Sequence, residues 1–144
     1  MRYAIAVAAA LLLAACSNAP PVALAPPGQD AAGKQFDPAP PGMAAVYFYN
    51  PSDAAPAINV TVGPMVIGTL APMSYMRVEL NGGWHALSCQ TYDSTNPSSI
   101  TVAPGQMRFI DVEMPPSAPA CSLRETNPDA GRAAVLAGAR AMQY

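Results

Sequence analysis

The residue whose type and position most clearly imply chemistry is Cys16, which follows two small residues, Ala14 and Ala15. Arg2 gives the N-terminus a positive charge, and a short apolar run at 5–13 precedes the alanines. This order is typical of a signal peptide that is cleaved after small residues. The apolar run is too short to span a bilayer, which needs about 20 apolar residues. We therefore expect cleavage before Cys16 and attachment of a lipid to its thiol.

The stretch Leu13-Ala14-Ala15-Cys16 resembles the lipobox of bacterial lipoproteins, in which several acyl chains on one cysteine give a stable anchor. In that class the residue after the cysteine influences sorting, and Ser17 in place of aspartate favours the outer membrane over the inner one. The resemblance implies a place in the bacterial envelope, with the membrane as a partner through the lipid. The alternative is an ordinary secretory signal with a cysteine there by chance.

Cys89 and Cys121 are the two cysteines that remain, and an even number in an oxidising compartment predicts one disulfide bond. Closing a loop of roughly 30 residues stabilises a domain by roughly 3–4 kcal/mol in the chain-entropy model. A metal site is a weaker alternative, because one histidine and two thiols are few ligands and the CxxC spacing of zinc sites is absent. We expect no metal and no cofactor.

His85 is the only histidine and the one further candidate for proton transfer. A catalytic role would pair it with Ser74 or Ser88 and with Glu79 or Asp111, yet no G-x-S-x-G motif frames either serine. We expect both carboxylates to face water, His85 to be structural and the protein to have no enzymatic activity. Seven Lys and Arg against nine Asp and Glu leave no basic patch, so nucleic acid is not an expected partner.

The elements that must position these residues are short β-strands within 42–144, a segment long enough for one domain. The hairpin signal Asn81-Gly82-Gly83 and other Gly, Pro and Asn turns separate runs with β-type alternation. This spacing predicts a mainly β fold, a small antiparallel β-sandwich of about seven to eight short strands. The predicted strands are 44–50, 58–62, 65–70, 74–80, 84–90, 100–102, 107–114 and 121–125.

Two segments flank these strands. After the signal peptide, 1–15, the lipidated cysteine and a Pro- and Ala-rich stretch occupy 16–41, which we expect to be an extended tether. Near the other end Asn127 can cap a helix, Pro128 suits its first position and Asp129 suits its positive end. We expect one C-terminal helix with a weak apolar stripe, formed by Ala133, Ala134, Leu136, Ala137, Ala141 and Met142.

The order of several short motifs in 43–141 resembles that of a group of uncharacterised bacterial lipoprotein domains. That group is itself similar to small transthyretin-like sandwich modules of bacterial surface proteins. The resemblance implies a β-sandwich and an envelope location, and it implies no reaction. The turn Gly63-Pro64 departs from the usual Asp-Gly or Asn-Gly. The motifs are Val46-Tyr47-Phe48-Tyr49-Asn50-Pro51, Ser74-Tyr75-Met76-Arg77-Val78-Glu79-Leu80 with Gly83-Trp84-His85-Ala86-Leu87, and Ala103-Pro104-Gly105-Gln106-Met107-Arg108-Phe109.

Four aromatic residues, Tyr47, Tyr49, Tyr75 and Trp84, are candidates for a binding surface. Exposed aromatic side chains often recognise peptides or sugars. The alternative is that the tyrosines form a second core layer beneath the terminal helix, which must bury its apolar side somewhere. We expect a structural or protein-interaction module of the envelope that contacts a protein partner through a strand edge or this aromatic face. The alternative function is glycan or peptidoglycan binding.

Overall fold

Nine strands and two helices make up the described part of the chain, residues 22–54 and 56–144 of a computed structural model. Cys16 and the predicted signal peptide lie outside these residues. None of the helices within the described ranges combines the length and hydrophobicity that a membrane span requires. The elements are α1 Pro27–Gly33, β1 Met43–Asn50, β2 Ile58–Val62, β3 Met65–Leu70, β4 Ser74–Asn81, β5 Gly83–Gln90, β6 Thr95–Val102, β7 Met107–Glu113, β8 Ser122–Thr126, α2 Pro128–Ala137 and β9 Ala139–Arg140.

The strands form two sheets, which confirms the mainly β sandwich fold with a C-terminal helix. A five-stranded sheet has the order β8-β7-β1-β4-β9, and a four-stranded sheet has the order β3-β2-β5-β6. The four-stranded sheet is wholly antiparallel, whereas β1 pairs with β7 and β4 with β9 in parallel. Parallel pairs need crossover connections, so the sandwich is not the simple antiparallel meander that short turns favour.

Two strand predictions need correction. The stretch 92–99 was expected to be a loop, but Thr95–Val102 forms β6 and pairs with β5 along its length. Its polar residues are compatible with a strand because β6 is an edge strand with one solvated side, and Pro97 is tolerated on such an edge. The two-residue strand β9 was not predicted, since it is too short to carry any alternation.

The main core lies between the two sheets. Alternate residues of β1 and β4, such as Phe48 and Met76, are fully buried there against Ile58 and other apolar residues of the four-stranded sheet. The predicted disulfide bond between Cys89 and Cys121 is confirmed, with a Cα–Cα distance of 6.1 Å. It joins β5 of one sheet to the residue that precedes β8 of the other.

The outer face of the five-stranded sheet carries a second apolar layer, which α1 and α2 cover. The prediction of an extended tether is therefore wrong for 22–41, where α1 packs on the sheet. Pro27 fits the first position of α1 because no backbone N–H is needed there. So short a helix depends on tertiary contacts. Tyr47 Oη donates to the C=O of Gly33 at 2.8 Å, and Tyr75 Oη donates to that of Asp30 at 2.9 Å.

The terminal helix α2 is capped as predicted, since Asn127 Oδ1 accepts a hydrogen bond from the N–H of Ala130 at 2.9 Å. The predicted apolar stripe is correct only for Ala134, which is partly buried in the second layer, and for Ala141, which is buried beyond the end of α2. Ala133, Leu136 and Ala137 are exposed, and the buried residues of α2 are Gly131 and Val135. The absence of a side chain on Gly131 allows close packing, because a Cβ atom there would lie 2.2 Å from Cγ of Phe109. Sequence apolarity alone did not reveal this contact.

Candidate functional site

The sandwich has an open side where the edges of β3 and β4 face each other. β4 pairs with β1 along its whole length, but β9 covers only its first two residues, Ser74 and Tyr75. β3 pairs with β2 on one side, and on the other it meets a single bridge between Gly68 and Gln143. The C=O of Ile67 also accepts a hydrogen bond from the N–H of Tyr144 at 3.2 Å. Within the ranges that the structure describes, the first two residues of β3 and the second half of β4 therefore lack a neighbouring strand on this side.

A groove of about 520 Å³, here called the edge groove, lies between these two edges. The β2–β3 hairpin supplies Val62, Met65 and Ile67, and β4 supplies Val78 and Leu80. Four of these side chains are partly buried against the main core, whereas Met65 is largely exposed. The edge groove is thus a channel open to solvent and bordered by strand edges. These five apolar residues form about half of its lining, and Arg77, Glu79, Arg140, Gln143 and Tyr144 form the rest.

Backbone groups of β4 point into the edge groove at alternate residues. The C=O of Tyr75 accepts a hydrogen bond from the N–H of Ala141 at 2.8 Å, and the N–H of Arg77 donates to Gln143 Oε1 at 3.3 Å. Both groups point away from β1. By the alternation of hydrogen bonding along a strand, the N–H and C=O of Glu79 point the same way. No strand of the described part of the chain lies there to pair with them.

Arg77 and Glu79 form the polar rim of the groove and neutralise each other. Arg77 Nη1 lies 2.6 Å from Glu79 Oε1, and Nη2 donates to the C=O of Asp37 at 3.1 Å. The guanidinium also stands 5.9 Å from the centre of the Tyr47 ring. Burial raises the pKa of Tyr47 even though the charge of Arg77 opposes the rise. These contacts hold the rim in place over the second apolar layer.

Asp30 of α1 fixes the segment that closes one end of the groove. Its Oδ1 accepts from the N–H of Arg140 at 2.9 Å, and its Oδ2 lies 2.8 Å from Lys34 Nζ. Burial alone would raise the pKa of Asp30, but the hydrogen bonds from Lys34, Arg140 and Tyr75 outweigh it and lower the pKa. The C-terminal segment that contains β9 is therefore tied to α1 through a charged group.

The aromatic residues proposed as a binding surface are separated by the fold. Tyr47, Tyr49 and Tyr75 are buried in the second apolar layer, where Tyr47 stacks on Phe109 at a ring-centre distance of 5.1 Å. The assignment of these three as a surface is therefore corrected, because both helices cover them. Trp84 alone is exposed, with 66% of its surface accessible, at the start of β5.

The candidate catalytic residues are not brought together. His85 Nε2 lies 2.8 Å from the C=O of Asn81, while Ser74 Oγ donates to a backbone carbonyl and Ser88 Oγ meets Thr61 Oγ1 at 2.5 Å. None of these contacts links a serine to the histidine. In residues 22–54 and 56–144, no three His, Cys, Asp or Glu side chains are grouped to hold a metal ion.

Asp111 departs from the expectation that it faces water. It is buried, and Nη2 of Arg124, the residue opposite it on the neighbouring strand β8, lies 3.0 Å from its Oδ2. Its Oδ1 has no hydrogen-bond partner among the described residues. The carboxylate is buried because it lies on the outer face of β7 next to Tyr49, within the layer that α2 helps to cover. The predicted exposure of Asp111 is therefore wrong.

The residues of the edge groove were missed from the sequence. Val62 and Met65 flank the turn Gly63-Pro64, and Val78 and Leu80 have the alternation of a half-buried strand. Nothing in these patterns shows which strands end up at a sheet edge, because that depends on the order of strands in space. No family model, no curated protein and no solved structure matches the chain. The likeness to uncharacterised lipoprotein domains therefore stays a prediction.

Proposed function

We propose that this protein is a lipid-anchored module of the bacterial envelope that binds an extended segment of a partner protein along the edge groove. The observation that carries this proposal is the pair of uncovered strand edges on either side of a channel that apolar side chains line in part. A peptide that adds to a sheet edge gains main-chain hydrogen bonds, and its alternate side chains fill the pockets beside the edge. The proposed role involves no reaction.

The groove defines what such a segment must look like. The N–H and C=O of Glu79 offer one donor and one acceptor to a strand that continues the line of β9. Val78 and Leu80 flank Glu79 on the groove side of β4 and favour apolar side chains at every second position of the partner. Arg77 and Glu79 pair with each other, whereas the guanidinium of Arg140, which also lines the groove, donates to the C=O of Gln29 and to Gln143 Oε1. Of the charged lining residues, Arg140 is therefore the one that an acidic group of the partner can approach.

The anchor is proposed at Cys16, with Ser17 favouring the outer membrane, on the basis of the lipobox-like sequence. The glycan-binding alternative needed several exposed aromatic side chains. Of the four candidate aromatic residues, burial of Tyr47, Tyr49 and Tyr75 leaves only Trp84 exposed, and no specific feature of the site favours that alternative.

Site-specific photo-crosslinking in living cells tests the groove. A benzoylphenylalanine in place of Met65, which is exposed and lines the groove, should give a discrete adduct on irradiation. The same probe in place of Tyr92, an exposed residue between β5 and β6, should give none. An equal yield from both positions would argue against a site in the groove.

Two substitutions at Glu79 make the test specific for strand addition. Glu79→Pro removes the N–H that points into the groove without breaking a bond to β1, whereas Glu79→Ala keeps that N–H and removes only the ion pair. We expect the adduct at Met65 to disappear with Glu79→Pro and to persist with Glu79→Ala. Equal melting temperatures of the two variants would show that the difference does not come from unfolding.

Fractionation tests the anchor. Cys16→Ala removes the proposed lipid acceptor, so the protein should leave the detergent-extracted membrane fraction and accumulate as soluble protein or uncleaved precursor. Retention of this variant in the membrane would contradict lipidation at Cys16. Because this result does not depend on the groove, the two parts of the proposal can fail separately.

A further inference from the structure

The distance between the proposed lipid and the folded domain is short. Only the five residues 17–21 separate Cys16 from Val22, so six Cα–Cα steps join them, and Val22 is already buried against the domain. The next residue, Ala23, accepts a hydrogen bond at its C=O from the N–H of Met142 at 2.9 Å. Six such steps span at most about 20 Å when fully extended. A lipid on Cys16 therefore holds the surface around Val22 close to the bilayer.

Exposed apolar side chains are grouped where the chain leaves the domain. Ala23 lies on the first described segment, and Met142 and Tyr144 lie on the C-terminal segment that pairs with it. We call these three residues, which line one shallow cavity, the exit patch. Met142 and Tyr144 are 46% and 81% exposed. Single exposed apolar residues are ordinary on a protein surface. Their position beside the link to Cys16 sets these apart.

We infer that the exit patch rests on the lipid headgroups of the membrane to which Cys16 anchors the protein. This inference rests on the proposed lipidation. The side chains of the patch carry no charge, so anionic lipid does not repel them. Tyrosine suits the interface because its ring is apolar and its hydroxyl is polar. A few such contacts would bind membrane weakly in a free protein, but the anchor raises the local concentration of lipid into the range that populates them.

This orientation places the edge groove near the membrane. Tyr144 lines the groove and also a shallow cavity of about 100 Å³ that includes Val22 and Met142. A partner segment in the groove would thus approach the domain from a position close to the bilayer. Partners anchored in, or emerging from, the same membrane fit this arrangement best.

Fluorescence quenching by lipid can measure the orientation, because Trp84 is the only tryptophan. Gln90 and Thr69 lie at the same level of the four-stranded sheet, one on each side of Asn59, and Thr69 is beside the exit patch. Trp84 lies six residues before Gln90 on β5, so it is about 20 Å from the exit patch along the strands. The lipidated full chain is reconstituted into phosphatidylcholine vesicles that carry brominated acyl chains. In one variant, Trp84→Phe with Met142→Trp moves the indole to the patch.

We expect brominated lipid to lower the emission of the variant roughly two-fold, because an interfacial side chain sits within reach of the upper acyl chain. The emission of the unaltered protein, which reports Trp84, should stay nearly constant. Trp84→Phe with Ala23→Trp gives a second reporter in case the first variant fails to fold. Adding Tyr144→Ser to either reporter should reduce its quenching.

Each contrary result has a distinct meaning. Quenching of Trp84 but not of the patch reporters overturns the orientation. Unquenched reporters in protein that floats with the vesicles also overturn it, and a blue-shifted emission in that case shows that protein, such as a second copy, covers the patch. Protein that does not float refutes the anchor at Cys16 and the inference with it.

Discussion

Replacement of Gly33 by alanine tests whether α1 covers the outer face of the five-stranded sheet. A Cβ atom at this position would lie 2.4 Å from Oη and 3.0 Å from Cε2 of Tyr75. Tyr75 has little room to move, because it is fully buried and its hydroxyl donates to the C=O of Asp30. The substitution must therefore displace α1 or break that hydrogen bond.

The magnitude follows from these contacts. Overpacking of a buried site lowers the free energy of unfolding by about 1–3 kcal/mol. Loss of the Tyr75 hydrogen bond removes about 1 kcal/mol more. The lower entropy of the unfolded chain with alanine offsets about 0.4–1 kcal/mol of this loss. The net destabilisation is about 1–3 kcal/mol, which lowers Tm by roughly 4–12 °C for a domain of this size.

Gly28 supplies the matched control, because it lies in the same helix and a Cβ atom there meets nothing within 4 Å. Gly28→Ala should leave Tm unchanged or raise it slightly. Both variants are measured by thermal unfolding, followed by circular dichroism, in the mature chain with Cys16→Ala. Equal melting temperatures of the two variants would contradict the packing of α1 against Tyr75.

Three other changes test separate parts of the fold. Reduction of the Cys89–Cys121 bond should lower the free energy of unfolding by roughly 3–4 kcal/mol. Thiol labelling of the unreduced, denatured protein should modify neither cysteine, and labelling of both would refute the bond. Asp30→Ala should lower the free energy of unfolding by about 1–2 kcal/mol. Because the pKa of Asp30 is lowered in the folded protein, the loss of stability in this variant should reach its full size at pH values well above 3.8 and shrink as the pH falls below 3.8. A loss of stability that grows in acid would contradict the ion pair. His85→Gln should change stability by at most about 0.5 kcal/mol and leave photo-crosslinking at the groove intact; loss of the adduct without unfolding would give His85 a role in binding.

The sandwich was predictable because strand signals are local. Alternation along 74–80 and turn residues such as Asn81-Gly82 report directly on strand and hairpin formation. The disulfide was predictable from the even number of cysteines that remain beside Cys16 and from the oxidising compartment that the lipobox-like sequence predicts. The order of the strands was not, since it depends on contacts between residues far apart in sequence. β6 was missed because Ser98 and its polar neighbours look like a loop unless their place at a sheet edge is known.

The helical cover and the site were harder to predict for a related reason. Proline density in 18–41 favours extended structure, but the prolines fall at the start of α1 and after it, where a helix tolerates them. Once α1 and α2 cover the outer face, Tyr47 and Tyr75 become core residues. The same alternating pattern would fit an exposed aromatic face, so the sequence alone left both readings open.

The two sides of the sandwich differ in the contacts that join their edge strands, and this difference supports the edge groove as the binding site. On the side of β6 and β8, Asn96 Nδ2 donates to the C=O of Cys121 at 2.9 Å, and Arg108 Nη1 donates to that of Thr101 at 3.1 Å. With the disulfide bond nearby, the cavity left there is about 30 Å³. On the side of β3 and β4, the short β9 and the amide of Gln143 leave about 520 Å³ open. Unpaired edges invite pairing by another chain unless they are covered. One side is closed by covalent and polar links, so the open side is where a partner strand can add.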